Sequence, residues 1–126
     1  MTEANEINEI KDAYSYLTHT IVSHFANASI HTKDVEGQRT ATITTEGALP
    51  IQYKVDCREI IEQGEQLIAD LCDPEKSRGV LSAIYAARGK GADDIPGSMG
   101  FNAPRFVAWE VETAKLHLGM QYNAHP

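Results

Sequence analysis

Apolar positions in the first quarter of the chain recur at helical spacing. Ile7, Ile10, Tyr14, Leu17, Ile21 and Ala28 fall at steps of three and four, broken only at His24 with Phe25 beside it. This spacing predicts one long amphipathic helix over residues 5–28, with Glu3, Glu6 and Glu9 at the end where the helix dipole favours carboxylates. The same spacing is a short heptad, so the stripe suits a second copy as well as the chain's own core.

From Arg39 the period changes to two. Arg39-Thr40-Ala41-Thr42-Ile43-Thr44-Thr45 is rich in β-branched residues, and Ile51, Tyr53 and Val55 alternate with Gln52, Lys54 and Asp56. With Glu46-Gly47-Ala48 as the connection, the two runs read as a β-hairpin whose apolar face needs covering. Its threonine-rich face carries little charge, which leaves that edge weakly guarded against pairing.

Helical spacing returns at Asp56, which stands with Glu59 at capping-box distance. Ile60, Ile61, Leu67, Ile68 and Leu71 form the apolar stripe of this second helix. Gly64 interrupts it, a cost accepted where another helix approaches closely. Asp73-Pro74 reads as a cap and first position of a third helix that buries Val80, Leu81, Ile84 and Tyr85 and ends at Gly89. The two helices form an αα-hairpin. Residues 89–103 have no periodicity and are expected to be one long loop, and Pro104 is expected to open a last helix reaching about Tyr122. There Val107, Val111, Ala114 and Leu118 share a face, while Phe106, Trp109, Leu116 and Met120 point elsewhere, as in a helix shared with a partner. The fold class expected is α+β in a single domain spanning 1–126: long helix, β-hairpin, αα-hairpin, long loop, terminal helix.

Charge adds an asymmetry to this picture. The chain of 126 residues carries a net charge of −7, and it is concentrated in front: residues 1–73 hold 13 Asp/Glu against 5 Lys/Arg, residues 74–126 hold 5 against 6. Such a balance argues against direct nucleic-acid binding, which needs Lys and Arg gathered on one face, and favours a protein partner with a basic surface. On the second helix, Glu59, Glu62, Glu65 and Asp70 are the residues expected to meet that partner, although a solvated outer face is the simpler explanation of carboxylates there. No apolar run reaches the length of a membrane span, and the acidic start lacks the plan of a signal peptide, so a cytoplasmic location is expected. Cys57 and Cys72 lie about 22 Å apart along one helix, too far for a disulfide, and both are read as buried thiols.

The remaining chemistry is sparse. Arg88, Lys90 and Arg105 bracket a glycine-rich stretch with Ser98 and Asn102, a set able to hold a phosphate-bearing small ligand such as a nucleotide, yet Asp93 and Asp94 in the same loop oppose an anion. The stretch matches no phosphate-loop or dinucleotide pattern, and a plain connector is the simpler reading. His19, His24, His31, His117 and His125 show no metal spacing. Glu110, Glu112 and His117 are the nearest approach to a catalytic group, with spacings that diverge on a helix. No catalytic residues, metal or cofactor are therefore assigned. Trp109 and Phe106, near Phe101, suit a core role or an aromatic platform.

The leading expectation is a small acidic, non-enzymatic binding or inhibitory protein that engages a basic partner. Products of phages and mobile elements that block host nucleic-acid-targeting defence complexes are of this general type. The heptad stripe and the two-sided last helix add an expectation of a homodimer or larger assembly. Binding of a small phosphate-bearing ligand at residues 88–105 is the alternative.

Overall fold

A computed structural model of the chain describes residues 9–10, 12–26, 28–45, 49–97 and 99–119. Strand β1 (Glu9–Ile10) is followed by helix α1 (Ala13–Phe25), strands β2 (Ser29–Val35), β3 (Gln38–Thr44) and β4 (Ile51–Asp56), helices α2 (Cys57–Cys72) and α3 (Ser77–Ala87), a 3₁₀ turn at Ala92–Asp94, and helix α4 (Met99–His117). The strands form one sheet in the order β1-β4-β3-β2, parallel at β1–β4 and antiparallel elsewhere. Mixed α+β architecture is as expected, with the predicted hairpin being β3–β4.

Each difference from the expected boundaries has a local cause. Helix α1 starts at Ala13 rather than near residue 5, because the Asp12 carboxylate caps it by accepting from the Ser15 amide at 2.9 Å, and Ile10 belongs to β1. Ile7 lies outside the described residues. Leu17 and Ile21 are buried within the chain while Tyr14 is 41% exposed, so the heptad stripe is largely spent on the chain's own core. Strand β2 was not legible: its two strong strand formers, Ile30 and Val35, fall on opposite faces and leave no alternation to read. It joins β3 through Glu36-Gly37, both at positive φ (51° and 81°), the two-residue turn that matches strand twist. With β2 in place, β3 is an inner strand, and the unguarded edge is that of β2.

Asp56 caps α2 as expected, its Oδ1 accepting from the Arg58 amide at 2.7 Å. Asp73 and Pro74 stand one turn ahead of α3, in a turn where Asp73 accepts from Glu75, and the helix itself begins at Ser77. It ends at Gly89, whose φ of +75° closes it. The loop is shorter than predicted, since α4 begins at Met99 and takes Pro104 inside its first turns. Cys57 is buried but Cys72 is exposed, a correction to the pair of buried thiols; both are free.

The helices cover one face of the sheet. Arg39, Ala41 and Ile43 of β3 and Tyr53 and Val55 of β4 point into a core completed by Leu17, Ile21, Ile60, Leu67, Val107 and Val111. Helices α2 and α4 approach closely at Gly64, as its interruption of the stripe suggested. A methyl group there would overlap Val111 Cγ2 and meet Val107 Cγ1 at 3.5 Å and Leu17 Cδ1 at 3.7 Å. Among the described residues, no helix is long and apolar enough to cross a membrane.

Candidate functional site

Two charged residues stand in phase with apolar stripes and are carried into the core. Arg39 shares the inward face of β3 with Ala41 and Ile43, and Glu110 falls between Val107 and Val111 on the inner face of α4; each is 2% exposed. They meet there. Arg39 Nε donates to Glu110 Oε1 at 2.8 Å, the Tyr16 hydroxyl donates to the same oxygen at 2.8 Å, and Arg39 Nη1 donates to both oxygens of Asp34 at 2.9 Å. Asp34 is Arg39's cross-strand neighbour through the Glu36-Gly37 turn, so hairpin register sets this contact. Burial by itself would lower the guanidinium's pKa, but the Glu110 carboxylate, Tyr16 and the hydrogen bonds to Asp34 and Glu110 together outweigh that, and the arginine is held more firmly charged than usual. Burial, and then Glu110, push the Tyr16 hydroxyl well above the ordinary tyrosine value. Arg39 Nη2 is buried without a partner.

Above this network lies the most distinctive surface of the described residues. The Trp109 indole stands over the Arg39 guanidinium, 5.5 Å from centroid to Cζ, yet is itself 55% exposed. It flanks a groove of about 390 Å³ lined by His24, Ile30, Thr32, Phe106, Trp109 and Glu110. His24 stacks on Phe106 with centroids 5.0 Å apart, which joins the end of α1 to α4. Ile30 and Thr32 come from β2, so the groove runs along the open edge of the sheet. Charge bookkeeping for Arg39, Glu110 and Asp34 leaves one net negative charge beneath it.

A second buried cluster joins α1 to the end of α3. Arg88 Nη2 donates to the Ser15 carbonyl and to Thr18 Oγ1, each at 3.0 Å, and Tyr53 bonds to His19 Nδ1. Burial, reinforced by the positive charge of Arg88, lowers the His19 pKa to about 4.

The residues singled out from sequence divide as follows. Glu59, Glu62 and Glu65 are exposed on α2, and Glu65 pairs with Lys115 at 3.4 Å. Asp70 is half-buried, 3.8 Å from Lys76 and bonded to Gln66. Around the glycine-rich stretch, the Arg88 fork turns toward α1, Lys90 is exposed, Asn102 is half-buried and Arg105 is exposed with a contact of its own. Ser98 lies outside the described residues, as does the Phe101 side chain. The shallow depression beside the loop is lined instead by Ser77, Arg78, Asp93, Ile95 and Pro96, among others. Of the weak catalytic set, Glu110 is held in the buried network, Glu112 pairs with Lys115, and His117 Nε2 accepts from the Gly37 amide at 2.9 Å, pinning the β2–β3 turn to α4. Among the described residues, no group of three His, Cys, Asp or Glu side chains is placed to hold a metal ion.

Comparison with protein-family models, with curated proteins and with solved structures finds no match in any of the three.

Proposed function

We propose that the chain is a non-enzymatic binding protein for a partner with a basic surface, with the groove between β2 and α4 as its contact centre. The observation that carries this reading is Trp109. A tryptophan more than half exposed beside an aromatic groove, over a rigid ion-paired floor, has the anatomy of an interface anchor rather than of a core residue. The floor is set by three hydrogen-bonded charged groups, so little order remains to be acquired on binding.

Charge supplies the sign of the partner. The net −7 and the outward carboxylates of Glu59, Glu62 and Glu65 draw a basic protein in and repel nucleic acid. Occupying a basic surface competes with whatever else that surface binds, which is how such a protein inhibits without chemistry. The placement of Arg88, whose fork serves α1, gives the phosphate-ligand reading no comparable support.

The test is capture from a lysate of the source cells at graded salt, with Trp109→Ala and the triple variant Glu59→Lys, Glu62→Lys, Glu65→Lys as comparators. A basic protein retained by the wild type, lost on Trp109→Ala and released by salt more readily from the charge-reversed chain is the expected outcome. Equal retention by all three chains would remove the proposal.

A further inference from the structure

We infer that the groove receives an extended segment of the partner by strand addition to β2, a mode that rests on the binding reading above and specifies it. Two observations converge on a polypeptide rather than a small molecule.

The first is the phase of the edge. A two-residue turn makes Val35 and Gln38 a hydrogen-bonded pair, so along β2 the residues paired inward to β3 are Ser29, His31, Lys33 and Val35. The main-chain N–H and C=O groups of Ile30, Thr32 and Asp34 therefore face the open side. Those same residues turn their side chains toward the helices, and Ile30 and Thr32 line the groove. A strand bonded to this edge lays alternate side chains over Phe106, Trp109 and His24. The second is charge. Asp34 and Glu110 beneath the groove favour an apolar or basic side chain on the inward face of the added strand, while His31 and Lys33 on the outer face of β2 disfavour positive charge outward.

A second copy of this chain fits less well. Antiparallel self-pairing about Thr32 sets Lys33 against the copy's own His31 and brings together two chains of charge −7.

Trp109 is the sole tryptophan, so its fluorescence reports on the groove directly. The probe is a capped heptapeptide of alternating threonine and valine with arginine at its centre, which puts arginine and valine on one face; its twin carries glutamate instead. Thr32→Pro removes an edge-facing N–H while sparing every β2–β3 hydrogen bond. The arginine peptide is expected to shift Trp109 emission and to slow amide exchange at Ile30, Thr32 and Asp34 in the unaltered chain. Thr32→Pro should weaken its binding about tenfold, the worth of roughly one hydrogen bond, and the glutamate twin should bind more weakly still. Equal binding by Thr32→Pro with unprotected edge amides would overturn strand addition and leave a groove-only contact. A dimer of the free chain that Thr32→Pro dissociates would overturn the choice of occupant. If neither peptide binds while the lysate partner is still captured through Trp109, the strand mode fails alone; if that capture fails too, the binding reading falls with it.

Discussion

Replacing Arg39 by methionine and Glu110 by glutamine perturbs the buried pair from opposite sides, and the structure ranks the costs. In Glu110→Gln the amide oxygen still faces the Tyr16 hydroxyl and Arg39 Nε, and the arginine keeps both bonds to Asp34, whose side chain is 20% exposed and partly solvated. Orphaning one member of a buried pair costs about 3–5 kcal/mol, and with two of these contacts preserved the loss should be nearer 2 kcal/mol. In Arg39→Met the carboxylate of Glu110 stays in a site 2% exposed with only Tyr16 to satisfy it, so about 3–5 kcal/mol is expected. For a chain of this size each kcal/mol moves Tm by about 4 °C. The combined variant, Arg39→Met with Glu110→Gln, removes both buried charges of the pair, and its cost should fall below the sum of the single costs by about 2 kcal/mol. Urea unfolding followed by circular dichroism and by Trp109 fluorescence measures all three variants, the second probe reading the ring that stands on the guanidinium. Costs that add within about 0.5 kcal/mol, or a Glu110→Gln chain less stable than Arg39→Met, would refute the argument that Glu110 depends on Arg39 more than the reverse.

Gly64→Ala should destabilise by about 1–2 kcal/mol in thermal melts, because overlap with Val111 Cγ2 outweighs the gain in helix propensity. His19, held near 4 against an unfolded value near 6.5, binds a proton in the unfolded chain first, so stability should fall as pH drops from about 6.5 to 4; discounted for partial exposure the loss is about 1–2 kcal/mol, and His19→Gln should flatten that slope. Asp56→Ala removes the cap of α2 and should cost about 1 kcal/mol, read as a lower urea midpoint. A thiol reagent should modify the native chain at Cys72 alone, since burial keeps the Cys57 thiol inaccessible and raises its pKa to about 11; mass spectrometry after brief labelling checks this.

Much of the fold was determined by local sequence. Alternation from Arg39 to Val55, the cap at Asp56, the stripe of α2 with its break at Gly64 and the stop at Gly89 each depend on neighbours within a turn or a strand pair, so period and capping chemistry suffice to read them. The exposed carboxylates of α2 were legible for the same reason. Strand β2 was not, because pairing with β3 rather than its own composition makes it a strand. Nor was the site. A trace of it lay in the phase of the stripes, where Arg39 and Glu110 occupy positions that apolar residues would otherwise take. Which charge answers which depends on α4 crossing beneath β3, a contact between residues 71 apart in the chain, and on the hairpin register that brings Asp34 to the same guanidinium. That Trp109 points away from the Val107 face was legible in the sequence, but its exposure was not: α4 spends Val107 and Val111 on α2 at Gly64, which leaves the indole beside edge strand β2, and among the described residues it stays 55% exposed there. Local periodicity names the faces of an element, and only packing decides which face is left open.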